Sequence, residues 1–116
     1  MKRRYRLTRT TDFKRVRHSG KSYAHPLVVL VASPNGLDVT RFAVTAGRSV
    51  GKAVQRNKAK RLIRAAVAPH QKSIYPGWDL IFIARATLIQ ARYLDVQDAI
   101  ESLMMKAHLI QEVSHG

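Results

Sequence analysis

Residues 48–64, RSVGKAVQRNKAKRLIR, hold seven of the chain's 21 Lys and Arg residues and no Asp or Glu. From Gly51 onward the stretch lacks Pro and is rich in Ala, Lys, Arg, Leu and Gln, all good helix formers. It predicts a helix over residues 51–67, with Ser49 or Gly51 near its cap. At roughly 100° per residue, Arg56, Asn57, Lys60, Arg61 and Arg64 share an arc of about 140°, and Ala59, Leu62, Ile63 and Ala66 gather on the opposite side. The polar face therefore carries a single sign. Like charges at Arg56, Lys60 and Arg64 repel at a cost of about 0.2–0.5 kcal/mol per pair, which a bound phosphate backbone would remove. A basic face that merely keeps the chain soluble is the competing reading.

Working outward, Met1–Arg9 reads as a basic arm without periodicity, expected to be mobile until it meets a polyanion. Thr11 is placed to cap a short helix, with Asp12 at its positive end, Phe13 and Val16 as the inward side and Gly20 as the stop. Phe13 has two readings. It is either a core anchor or a stacking platform for an unpaired base, with Lys14, Arg15 and Arg17 as basic neighbours for the backbone.

Residues 21–25 read as a short strand before Pro26. Leu27–Ala32 is an apolar run of strand length followed by the turn sequence SPNG. Val39–Ala46 alternates, with Phe42, Val44 and Ala46 on one side and Arg41, Ala43 and Thr45 on the other. Together the two runs predict an antiparallel hairpin whose more polar face is open to ligand or solvent. Pro69–Gly77 reads as a loop and Trp78–Arg85 as an apolar strand, with Trp78 in the core or at its rim. Asp95 reads as the cap of a last helix striped with Val96, Ala99, Ile100, Leu103, Ala107 and Ile110, in which Met104 and Met105 fill gaps. The order helix, strand, strand, strand, helix, strand, helix predicts an α+β fold, a small mixed sheet packed by helices, in a single domain over residues 1–116.

The net charge of +14 is unevenly spread: residues 1–94 carry +17 and residues 95–116 carry −3. One part of the surface is thus suited to a polyanion and the last helix is not. With no cysteine, disulfides, Cys-based zinc sites and thiol nucleophiles are excluded. No apolar run reaches the ~18 residues of a membrane span or forms a secretory h-region, so a cytoplasmic location without membrane attachment is expected. Asp12, Asp38 and Asp79 are isolated in sequence. Asp95, Asp98 and Glu101 recur at i,i+3, a spacing that fits capping and surface roles better than metal ligation. Histidines 18, 25, 70, 108 and 115 show no metal-ligand spacing, and no Gly-x-Ser-x-Gly, phosphate-loop or dinucleotide motif is present. The chain reads as a binder without catalytic machinery of its own.

AVQRNKAKRLIR, residues 53–64, resembles the arginine-rich signature helix of the protein subunit of bacterial ribonuclease P. RLTRTTDFKRVRHSG resembles that family's opening helix, GKAV its lead into the signature helix, and GWDLIFIAR the strand that follows, so that together the matches cover most of residues 6–86. The resemblance implies a left-handed crossover around the basic helix, against the usual right-handed rule. It implies that the catalyst is an RNA subunit using bound Mg2+, with no metal held tightly by the protein. The partners implied are ribonuclease P RNA and precursor tRNA, with the protein a monomer within the holoenzyme. Arg56, Asn57, Lys58, Lys60, Arg61 and Arg64 would contact the RNA subunit. A cleft between the first helix and the sheet would take the 5′ leader of precursor tRNA, with Phe13 as its stacking aromatic and Arg17, Arg48, Lys52 and Arg85 around it.

Four positions depart from the family pattern. Lys58 stands where Arg is usual, reducing a bidentate phosphate contact to a point charge. Ala65 replaces an acid, Arg17 a second aromatic, and Val31 a Tyr found in some members. Leader binding is therefore expected to lean more on charge than on stacking. Competing classes are a structural RNA-binding protein such as a ribosomal protein, a DNA-binding module, and a catalytic nuclease. The DNA reading wants base-reading Asn, Gln and Ser among the arginines, and the nuclease reading wants clustered carboxylates.

Overall fold

A computed structural model describes residues 5–111. The elements run α1 (Thr10–Ser19), β1 (Lys21–Ala24), β2 (Val28–Pro34), β3 (Arg41–Ala46), α2 (Ala53–Val67), β4 (Trp78–Ala84) and α3 (Tyr93–Lys106). Short 3-10 turns at Arg48–Val50, Ala68–His70 and Ala86–Gln90 join them. The class and element order match the sequence expectation.

The strand pairing does not match it. The sheet order is β1-β2-β4-β3, with β2 antiparallel to both β1 and β4, and β3 parallel to β4. The expected hairpin between β2 and β3 is absent because β4 lies between them. Asp79, Leu80, Ile81, Phe82 and Ala84 of β4 are all buried, so this strand needs cover on both faces and a strand on either side. The SPNG turn after β2 carries the chain past the width of β4. With β3 parallel to β4, α2 becomes the crossover between them.

Each face of the sheet carries a core cluster. Leu30, Phe42, Leu80 and Phe82 point toward α2 and α3, where Ala59, Ile63, Ile100, Leu103 and Met104 complete the larger core. The opposite face, expected to be open, is closed over Val31, Ala43 and Ile81 by Val16 of α1 and Leu7, and stays partly open at Val29, Ile83 and Thr45. Leu7 also corrects the reading of a mobile arm over residues 1–9. Its N–H donates to the Phe42 carbonyl at 2.7 Å and Arg6 bridges Phe42 in parallel, so this part of the arm covers the outer edge of β3. Residues 1–4 of the arm lie outside the described residues.

Helix ends differ from expectation in detail. Arg9, not Thr11, is the N-cap of α1, and it makes no side-chain capping bond. Gly20 ends α1 through close approach: a Cβ there would sit 2.3 Å from the Val16 carbonyl and 2.8 Å from Val31 Cγ1. Arg92 is the N-cap of α3, and Asp95 is the third helical residue, whose carboxylate accepts the Arg92 N–H at 3.2 Å. Asp95 thus closes the box from inside the helix. Val96, Ala99, Ile100 and Leu103 of the α3 stripe are buried as read, whereas the helix ends at Lys106, so Ala107 is its C-cap and the half-buried Ile110 lies beyond it; Leu109 there is also buried.

At the start of the parallel pair the structure gathers charges that are far apart in sequence. Asp79 is fully buried and accepts a bidentate pair from Arg41, Nε to Oδ1 at 2.8 Å and Nη2 to Oδ2 at 2.7 Å. Asn35 Nδ2 donates to Asp79 Oδ1 at 3.0 Å, and Arg15 of α1 donates to Oδ2. Burial alone would raise the Asp79 pKa, but the hydrogen bonds from Arg41 and Asn35 and the charges of Arg41 and Arg15 bring it below the usual carboxylate value. Its stabilising contribution is therefore complete above about pH 4 and is lost as pH falls through the depressed value. Asp79→Asn is expected to lower stability by about 2–4 kcal/mol at pH 7, the cost of breaking a buried pair discounted for arginines that reach solvent. Denaturant melts from pH 7 to 2 check this: wild-type stability should fall more steeply than the variant's below about pH 4.

Candidate nucleic-acid interface

The connection from β3 into α2 shapes the basic helix. Val50 of the 3-10 turn is buried, and Gly51 follows at φ 140, a backbone conformation that glycine supplies. Lys52 is the N-cap, rather than Ser49 or Gly51, and its N–H donates to Gln55 Oε1 at 2.7 Å. A backbone donor of the first turn is thus satisfied by Gln55, which leaves the Lys52 side chain in solvent. Ala59, Ile63, Ala66 and Val67 face the core. Asn57, Lys58, Arg61 and Arg64 are exposed, and Arg56 and Lys60 half-buried. Among the described residues none of these five cations forms an ion pair, since the ion pairs engage Arg15, Arg41 and Arg92. A helix face of one sign with no internal counter-charge is an electrostatic footprint for phosphates.

The second set of candidates lies around α1 and the sheet face beneath it. Phe13 is half-buried and packs against the smaller cluster together with Val29 and Ile83. It also lines a cleft of about 430 Å³ with Leu7, Phe42, Val44 and Arg64. Its ring thus contributes to the cluster and also borders open space. Arg64, expected on the RNA-subunit face, shares this cleft. Arg17 is exposed one helical turn from Phe13, on the same side of α1. Val31 is buried and is not part of the cleft lining; Gly20 lies against it. Arg15 is a correction to the sequence reading: it turns to Asp79, with Nη1 on Ser33 Oγ at 3.0 Å, rather than serving as a basic neighbour for a nucleic-acid backbone.

Arg48 and Arg85 follow β3 and β4 at the same end of the sheet, and Lys52 stands where α2 begins. The parallel register pairs Thr45 with Ile83 and Ala46 with Ala84, so the residues following β3 and β4 emerge side by side. All three side chains are exposed. Between them and α1 runs a half-buried row, Val29, Ile83 and Thr45, aligned across three strands. The result is an apolar floor with an aromatic on one side and cations at one end, a layout suited to a single strand held by stacking and charge. Sequence reasoning missed Leu7, Arg6 and the floor, whose signal was hidden because it depends on which strand is the neighbour. Among the described residues no three His, Asp or Glu side chains gather in a way that could hold a metal ion, and no helix is long and apolar enough to cross a membrane.

The model of the family described as Ribonuclease P matches residues 1–108. This chain belongs to the ribonuclease P protein family. The ribonuclease P protein component of Herpetosiphon aurantiacus is 39% identical, with 100% of each chain covered. A solved ribonuclease P protein from Staphylococcus aureus is 30% identical and superposes with a TM-score of 0.84 over 92% of this chain and 98% of its own. A second S. aureus structure, at 30% identity, TM-score 0.86 and coverage of 92% and 91%, is described as a mutant with defective mRNA degradation activity.

The salt dependence of binding measures how many α2 cations reach phosphate in this ribonuclease P family member. With about five neutralised phosphates, log K should fall against log salt with a slope of about −3.5 to −4.5, and Arg61→Ala should shrink it by slightly less than about one unit. An unchanged slope would remove Arg61 from the contact set.

Proposed function

We propose that this chain is the protein subunit of ribonuclease P, assisting a catalytic RNA in removing the 5′ leader from precursor tRNA in the cytoplasm, as one copy per holoenzyme. The observation that carries the reading is the α2 face, five cations that form no ion pair among the described residues, in a chain of this family. Arg56, Lys58, Lys60 and Arg61, with Asn57, bind the RNA subunit's backbone. The leader runs as a single strand past α1, where Phe13 stacks on a base, Arg17 and Arg64 flank it, and Arg48, Lys52 and Arg85 hold phosphates further along the sheet. Hydrolysis is supplied by the RNA with its bound Mg2+; the protein binds and orients. A ribosomal-type structural role is disfavoured by family membership.

A second reading has one observation behind it. The S. aureus relative whose mutant is described as defective in mRNA degradation raises RNA cleavage by the protein itself. The carboxylates argue against it here, because among the described residues no three His, Asp or Glu side chains gather to hold a metal ion, and Asp12 and Asp79 are engaged with arginines. Purified, RNA-free protein is expected to leave both precursor tRNA and mRNA intact in magnesium.

Two variants and two substrates test the division of labour. Phe13→Leu should weaken binding of precursor tRNA to the holoenzyme by about 1–3 kcal/mol, the usual worth of base stacking, and leave mature tRNA unaffected. Arg56→Ala with Arg61→Ala should instead weaken assembly with the RNA subunit, harming both substrates together at limiting protein. Matching losses from both variants on both substrates would sink the two-surface account.

A further inference from the structure

Helix α1 is held to the sheet in two different ways. On its inner side Val16 is fully buried against Val31, Ala43 and Ile81, contacts that are non-directional and would let the helix roll. Arg15 supplies direction. Its guanidinium donates from Nη2 to the buried Asp79 carboxylate and from Nη1 to Ser33 Oγ at 3.0 Å and the Pro34 carbonyl at 3.3 Å, so it is tied to both β2 and β4. Asp12, one turn earlier, lies 3.9 Å from Arg15 and 3.6 Å from Arg41, which adds the third strand. Around the helix axis Arg15 lies about 100° to one side of Val16, and Phe13 about 60° to the other. Anchoring the Arg15 flank therefore fixes how far the Phe13 and Arg17 flank stands off the sheet.

We infer that Asp79 and Arg15 are positioning residues for the leader: they set the roll of α1, and with it the height of Phe13 and Arg17 above the Val29, Ile83 and Thr45 floor. This rests on the leader reading given above. Neither residue need touch RNA. Asp79 is fully buried, and both Nη atoms of Arg15 donate within the protein. Charge-assisted bonds of this kind are directional in a way that apolar packing is not.

Two variants that change net charge in opposite senses separate positioning from direct electrostatics. Arg15→Met removes a cation and leaves Asp79 paired with Arg41 and Asn35. Asp79→Asn removes an anion, so a purely electrostatic account predicts tighter RNA binding. If the pair positions α1, both variants lower the preference of the reconstituted holoenzyme for precursor over mature tRNA by about tenfold, the scale of effect expected from misplacing a binding group by an ångström or less. Arg15→Lys should recover part of that loss. Both variants should keep wild-type binding of mature tRNA, and amide hydrogen exchange across Thr10–Ser19 should quicken relative to β4 by about tenfold as α1 opens more readily.

Unchanged exchange in α1 with Arg15→Met would overturn the clamp, as would tighter precursor binding by Asp79→Asn. Faster exchange in α1 without loss of preference, in an assay where Phe13→Leu does lose it, would overturn the positioning role. If Phe13→Leu also keeps its preference, the leader reading fails, and with it the clamp's role in binding. Where Asp79→Asn melts below the assay temperature, Arg15→Met with its Lys rescue carries the test alone.

Discussion

Strand β4 is buried on both faces and can be accommodated only inside the sheet. Much of the architecture follows from that constraint. With β2 on one side and β3 on the other, β3 and β4 run parallel, and their connection must cross a face of the sheet. The crossover is α2, whose Ala59, Ile63, Ala66 and Val67 are drawn onto the core so that its cations turn outward. The same parallel register delivers Arg48 and Arg85 to one end of the sheet. A hairpin between β2 and β3 would have separated these features. The position of one buried strand thus relates the two basic surfaces to each other.

Charge is used in two opposite ways. On α2 it is left unbalanced, and the repulsion along Arg56, Lys60 and Arg64 is a folding cost that an external polyanion relieves. Under α1 it is balanced internally: Asp79 meets Arg41, Arg15 and Asn35, and every buried side-chain polar atom described has a partner. Satisfied in this way, a buried carboxylate becomes a directional fastening, where an unpaired one would be a liability. Cations available to RNA and cations consumed by the fold can therefore be told apart only in three dimensions.

That distinction marks what was legible in the sequence. The α2 face, the α3 stripe and the element order could be read because 3.6-residue periodicity and strand-length apolar runs are local signals. Strand pairing could not, because SPNG is good turn chemistry whether or not the strands it joins are neighbours. Asp79 read only as an acid isolated in sequence: its partners Arg15 and Arg41 are distant along the chain, and nothing local distinguishes them from Lys14 or Arg17. Leu7 was one apolar residue in a basic arm, and its burial depends on the free edge of β3, visible only once β4 takes the inner place. Phe13 was singled out through spacing and resemblance together, whereas the sharing of its cleft by Arg64 emerges only in the fold.

The most direct test of the whole account is reconstitution with a bacterial ribonuclease P RNA, assayed for 5′ processing of precursor tRNA at low magnesium. Adding the protein should raise cleavage at the mature 5′ end well above that of the RNA alone, while the protein without RNA leaves the precursor intact. Equal rates with and without protein, or magnesium-dependent processing by the RNA-free protein, would contradict it.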